Sequence, residues 1–157
     1  MLQNKYDNFG KFLKDFKVDD IYKHSDKKTI TEKDNILFCQ ITSNHHPLHL
    51  DAEFAKSTIY KKIVVAGTFV ASIIVGLSVS DISGKAIANL DYEKIIHHAP
   101  VFIGDTLQAE TEILEVRESR SKPDRGIIFV ETRAFNQKNE IVLSLRRHIL
   151  IPKRGKR

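Results

Sequence analysis

Residues 38–51 read FCQITSNHHPLHLD and put three of the chain's seven histidines, His45, His46 and His49, into one short segment. Imidazole is the side chain best suited to taking or giving a proton near neutral pH, and it is also a common metal ligand. Asn44 stands just before the histidines. Its amide can orient a water molecule but cannot accept a proton at neutral pH. Pro47 bars a regular helix through the middle of the segment and pushes His46 toward extended backbone. The segment is therefore expected to be a rigid loop carrying imidazoles rather than a helical face. No metal site is expected. The spacing fits no closed zinc set, no His-x-x-x-His pair lies on a helix, and Cys39 is a lone cysteine. A second pair, His97 and His98, stands beside Pro100 and reads as an ordinary strand end.

The flanking residues must hold this loop. Upstream, Thr31 with Asp34 resembles a capping box, and Glu32 and Asp34 suit the positive end of a helix. Leu37, Phe38 and Ile41, with Ile30 before the cap, form the apolar face expected to pack inward. Cys39 reads as a small buried residue in the same helix. Downstream, Asp51 is placed to cap a short helix over 52–56. Residues 58–62 are a polar, basic link. The next helix, 67–79, is apolar nearly all round and so is expected to be buried on every side. Ala71, Ser72 and Gly76 are small enough to let a sheet approach it. Gly67 opens this helix, and an unpaired N–H at a helix start is a ready donor to an anion.

The second half alternates with a period of two. Strands are expected over 86–96, 105–117, 126–136 and 140–151, joined by turns at 119–125 and 136–139, as antiparallel neighbours. Short strand pieces are expected at 16–18, 21–22 and 28–30. The ends, 1–15 and 153–157, are expected to be loose, with Phe9 and Phe12 as anchors. These elements make one α+β domain over 1–157, a sheet set against one long helix.

Composition narrows the function. Of 157 residues, 41% are hydrophobic and 29% charged, as in a water-soluble globular domain. Residues 1–20 lack a secretory pattern, and the longest apolar run, 63–79, is interrupted and too short to span a bilayer. The lone Cys39 allows no internal disulfide and suits the reducing cytoplasm. The net charge of +5 favours an anionic partner. It comes partly from the tail Lys153, Arg154, Lys156 and Arg157. Nucleic acid is not expected: no binding module is visible, and there is no Trp.

The run from Asn44 to His49, followed by Asp51, Glu53, Phe54, Ala55 and residues 63–67, resembles the MaoC-like enoyl-CoA hydratases. PVFIGDTL at 100–107 and GIIFVETRAFNQKNEIVLSLRR at 126–147 are similar to the same family, so the resemblance covers about 16–151. It implies the hotdog fold, in which an antiparallel sheet wraps a long helix. The family loop reads Gly-Asp-x-Asn-Pro-Leu-His. His49 matches its final His, Asn44 stands in place of the Asp, His46 in place of the Asn, and Ser43 in place of the Gly. Ala66 stands where a polar residue is common.

The resemblance implies that His49 moves the proton of a water that Asn44 helps to hold, and that the Gly67 N–H binds the thioester oxygen. His46 becomes a substrate contact. Arg120, Lys122 and Arg125, in the basic turn 119–125, become a clamp for CoA phosphates, the other reading of that turn being a solvated hairpin tip. No cofactor is implied, CoA being part of the substrate. A homodimer or higher homo-oligomer is implied. The Asn-x-His-Pro-x-His loop resembles a subgroup acting on branched dicarboxylic C5 enoyl-CoAs such as mesaconyl-CoA and itaconyl-CoA. Straight-chain (R)-specific hydration, thioester hydrolysis and non-catalytic acyl-CoA binding are the alternatives on this fold.

Overall fold

Three strands with one wet and one dry face form the body of the sheet. They are β5 (Thr106–Glu118), β6 (Arg125–Phe135) and β7 (Ile141–Pro152). On β6 every second residue is buried, from Gly126 to Ala134, as period-two patterning requires. The computed structural model describes Tyr6 and residues 8–155. Residues 1–5 and 7, and Lys156 and Arg157 of the basic tail, lie outside the described residues.

All pairings are antiparallel. β1 (Ile21–Lys23) and β2 (Lys28–Thr29) lie on β5; β3 (Ala88–Asn89) and β4 (Lys94–His97) lie on β7. The helices are α1 (Glu32–Ile41), α2 (Pro47–Leu50), α3 (Ala52–Ser57) and α4 (Gly67–Leu77). α4 lays Val70, Ala71 and Ile74 against Leu107, Ala109, Ala134, Val142, Leu143 and Leu145. A second cluster, with Leu13, Phe16, Ile82, Ile113, Ile128 and Ile149, fills the other end of the sheet. The architecture is α+β.

Several expectations change. α4 is not buried on every side: Thr68, Ser72 and Gly76 are exposed, because the sheet covers one face of the helix. Of the three small residues, only Ala71 serves close packing; a Cβ on Gly76 would meet nothing within 4 Å. The helix ends at Leu77 and passes into a wider turn over Val79–Ser83. The single strand expected over 86–96 is two short ones, both on β7. Residues 16–18 are not a strand. Phe16 follows a 3₁₀ turn over Leu13–Asp15, and β1 begins only after Asp19 takes a positive φ of 70°. Nor are the ends loose throughout. Leu13 is 3% exposed within the second cluster. Lys153 donates its N–H to the Asp124 carbonyl, and its ammonium pairs with Glu118 at 2.9 Å.

Candidate active site

The helix α1 begins where Thr31 and Asp34 exchange backbone–side-chain hydrogen bonds, each 3.1 Å long. The Lys28 ammonium, then the Thr31 N–H, hold the Asp34 carboxyl down to about 2. Only part of the apolar face expected of α1 turns inward: Ile30 before the cap is fully buried and Phe38 stacks on Phe69 with ring centres 4.8 Å apart. Asn35 and Cys39 are buried, while Leu37 and Ile41 are 54% and 73% exposed. What Asn35 meets inside is main chain, and main chain needs an amide. Asn35 Nδ2 donates to the His49 carbonyl at 2.9 Å, and its Oδ1 accepts the Ala66 N–H at 3.1 Å. One buried side chain thus joins the histidine segment to the start of α4.

After α1 the chain reverses at Ser43, with φ at 56°. Asn44 Oδ1 accepts the His46 N–H at 3.4 Å, an Asx turn. His46 is extended as expected, with φ −65° and ψ 126°. Its Nδ1 accepts the Leu48 N–H at 3.2 Å and so caps α2. The expectation of an irregular loop is therefore corrected: Pro47 starts a short helix. A proline at the first helical position has the right φ and lacks an N–H that would be unpaired there anyway. His45 is exposed. Asp51 caps α3 as expected, its Oδ1 accepting from Glu53 and Phe54.

His49 lies on α2 with its Nδ1 2.7 Å from the Val64 carbonyl oxygen. A carbonyl can only accept, so Nδ1 carries the hydrogen and Nε2 of the neutral ring carries the lone pair. At the start of α4 the N–H groups of Gly67 and Thr68 have no partner among the described residues, as is usual in the first turn of a helix. A Cβ on Gly67 would lie 2.5 Å from Cε1 and 2.9 Å from Nε2 of His97, so a ring rests where any other side chain would project.

These groups border an open cleft of about 450 Å³. His49, Tyr60, Gly67, His97 and His98 contribute its polar wall, and Val64, Val65, Val70, Val101 and Val142 most of the apolar remainder. Among the described residues no carboxylate lines it. Of the residues picked out in the sequence, His49 and Gly67 meet here. Asn44 and His46 stand just upstream, outside the wall, one holding a turn and the other capping α2. Arg120, Lys122 and Arg125 do not reach the cleft of their own chain. Leu143 pairs with His97 at the cleft, whereas Pro152 pairs with Arg125 nine residues further along β7, about 30 Å away. Arg125 is also engaged, its Nε and Nη2 each 2.8 Å from Asp124, whose carboxyl it holds to about 2.

Four wall or support residues escaped the sequence reading, Tyr60, His97, His98 and Asn35. His97 was visible as half of a His-His pair, but nothing local said which face of the sheet it joins. Tyr60 lay in a link read only as polar. Asn35 was detectable as an amide four residues from the buried Cys39. Among the described residues no group of three or more His, Cys, Asp or Glu side chains could hold a metal ion. No helix among them is long and apolar enough to cross a membrane.

An antiparallel sheet set against one long helix is the arrangement of a hotdog domain. A Mycobacterium tuberculosis protein described as having a double hotdog fold superposes with a TM-score of 0.83 at 17% identity, over 94% of this chain and 46% of that one. Residues 15–132 match the family model described as MaoC like domain, and the chain belongs to that family. A solved putative MaoC domain protein dehydratase from Chloroflexus aurantiacus is 31% identical with a TM-score of 0.89, over 94% of this chain and 42% of that one. The mesaconyl-CoA hydratase of Cereibacter sphaeroides is 32% identical over 147 residues, 94% of this chain and 43% of the relative. The chain thus spans less than half the length of these relatives.

Proposed function

We propose that the protein hydrates the C2=C3 bond of a short 2-enoyl-CoA, or dehydrates the corresponding 3-hydroxyacyl-CoA, with a branched dicarboxylic C5 acyl group such as that of mesaconyl-CoA or itaconyl-CoA preferred. The observation that carries this reading is the His49–Val64 hydrogen bond, which leaves Nε2 as a base at the edge of an apolar cleft. A water proton passes to Nε2 while its oxygen bonds to C3. Negative charge then moves to the thioester oxygen, where the unpaired Gly67 N–H meets it. A donor fixed in advance acts mainly on the charge that develops in the transition state.

Asn44 is assigned to orienting the water through its amide Nδ2, its Oδ1 being used in the turn. His46 is assigned to touching the acyl group. With Nδ1 accepting from Leu48, its neutral ring offers the substrate an Nε2–H donor rather than a positive charge. The dicarboxylic preference is supported by the mesaconyl-CoA hydratase likeness. It is also supported by a wall without carboxylates, since a like charge in a poorly screened cleft would repel the second carboxylate. In this reading no metal or other cofactor takes part, because base, donor and water suffice for the addition; CoA arrives with the substrate. The protein works in the cytoplasm as a homodimer or higher homo-oligomer, without a nucleic-acid or membrane partner.

The test is to incubate the protein with a panel of enoyl-CoA esters and read product masses. Gain of one water, largest for the dicarboxylic C5 esters, is expected. Release of free thiol would make the protein a thioesterase, and binding without turnover would make it an acyl-CoA-binding protein. Either result overturns the reading. A preference for crotonyl-CoA would overturn only the acyl assignment.

Lys61 and Lys62 directly follow Tyr60 of the cleft wall, and the Lys62 ammonium lies 3.9 Å from the Phe102 ring centre. Changing both to Ala is expected to raise KM for the CoA ester roughly tenfold with kcat nearly unchanged, since phosphate contacts hold ground and transition states alike. A pantetheine thioester without the phosphates should respond to neither change. Substituting Arg120, Lys122 and Arg125 together should leave KM within twofold of wild type, roughly the effect of surface charges away from the site. Steady-state kinetics on the two esters decides between the two basic groups.

A further inference from the structure

We propose that His97 is a second proton-transfer residue, delivering the proton to C2 while His49 serves the water at C3. This rests on the hydratase reading above. Addition of water needs proton movement at both ends of the double bond. The Gly67 N–H is assigned to the thioester oxygen, so C1 and the adjoining C2 lie beside whatever is pressed against Gly67. That neighbour is the His97 ring, with Cε1, Nε2 and Nδ1 at 2.5, 2.9 and 3.2 Å from the position of a Gly67 Cβ.

The two adjacent histidines differ in what holds them. His98 Nε2 is 2.9 Å from Ser144 Oγ. His97 lines the cleft, and its ring makes no hydrogen bond or ion pair among the described residues. The titratable groups sharing its wall are His49 from α2, Tyr60 from the link before α4, and His98. The first turn of α4 brings no acidic residue, and β7 opposes His97 with Leu143. With an amide at position 44 and no carboxylate in the wall, His97 is the group placed to complement His49.

The step balances as follows. A water O–H bond breaks, its proton goes to His49 Nε2, and its oxygen bonds to C3. The π pair moves to C2 and the thioester oxygen. The His97 imidazolium then protonates C2, and that pair becomes the new C–H bond. Product leaves with His49 protonated and His97 neutral, and solvent carries one proton from the first to the second. Dehydration is the reverse.

Hydration therefore needs neutral His49 and charged His97, so kcat/KM has an acid and an alkaline limb. His97→Gln is expected to lower kcat about 10²-fold and to abolish the alkaline limb while leaving the acid limb. His97→Phe keeps a ring against Gly67 and should lose the same limb, which separates proton transfer from packing. His98→Gln should leave both limbs in place. The proposal is overturned if His97→Gln stays within about threefold of wild type, or if the variant keeps both limbs. A loss confined to dicarboxylic esters, with crotonyl-CoA unaffected, overturns it too, by making His97 a carboxylate contact. Failure of the hydratase reading shows separately, as a wild type that adds water to no ester at any pH.

Discussion

Changing His49 to Ala is expected to lower kcat/KM for the preferred enoyl-CoA by about 10²-fold or more, the usual scale for losing a positioned base. The ring is set by two contacts with main chain. Its Nδ1–H is held by the Val64 carbonyl at 2.7 Å, and its own carbonyl is held by Asn35 at 2.9 Å. Only the first is lost in the variant, at a cost to stability of about 1 kcal/mol, so the protein should still fold. The acid limb of kcat/KM should vanish with the imidazole. His49→Gln offers a test of orientation alone: it can still donate to Val64 but cannot take a proton, and it should be as slow as His49→Ala. Kinetics within threefold of wild type for either folded variant would move the proton chemistry to another residue.

The second large effect is expected at a residue that touches no substrate. Asn35→Leu should destabilise the protein by about 2 kcal/mol and reduce kcat by roughly 10- to 100-fold. Leucine removes the acceptor of the buried Ala66 N–H and the donor to the His49 carbonyl in one change. A stranded buried N–H carries the stability loss. The activity loss has a different cause: without the amide bridge, α2 and the start of α4 are no longer tied together, and His49 and Gly67 sit on those two elements. Urea denaturation measures the first effect and single-turnover kinetics of the folded protein the second. Asn35→Asp should be no more stable than Asn35→Leu, since a carboxylate at this buried position accepts from Ala66 but is desolvated and repelled by the His49 carbonyl. If Asn35→Leu lowers stability alone, the bridge does not set the geometry of the cleft.

Some of this molecule was legible in local pattern. The alternation in 105–117, 126–136 and 140–151 placed β5, β6 and β7 nearly to the residue, because a strand with one wet face writes its period into its own sequence. Thr31 and Asp51 announced two helix starts for the same reason: a cap acts on N–H groups two or three residues away. The resemblance around Asn44 to His49, and Gly67 opening an apolar helix, singled out the two site residues that meet in the cleft. Elsewhere local rules pointed the wrong way. Leu37, Phe38 and Ile41 marked an inward face for α1; Phe38 does stack on Phe69, but Leu37 and Ile41 stay exposed while Asn35 and Cys39 turn inward, Asn35 because it meets a carbonyl and an N–H there. Pro47 was read as a helix breaker because its role depends on where the helix begins.

The sequence by itself determined the types of the long elements and the antiparallel hairpins of the sheet, since each follows from chemistry within a few neighbouring residues; His49 was singled out by the family resemblance. Tertiary structure alone decided which groups share the cleft. Asn35 reaches partners 14 and 31 residues away. His97 rests on Gly67 because β4 runs along β7 at the level of Leu143. The same strand, extending at about 3.3 Å per residue, carries the basic turn at 119–125 to the opposite end of the sheet. Such meetings are set by the packing of whole elements, and no local period or motif encodes the distance between them.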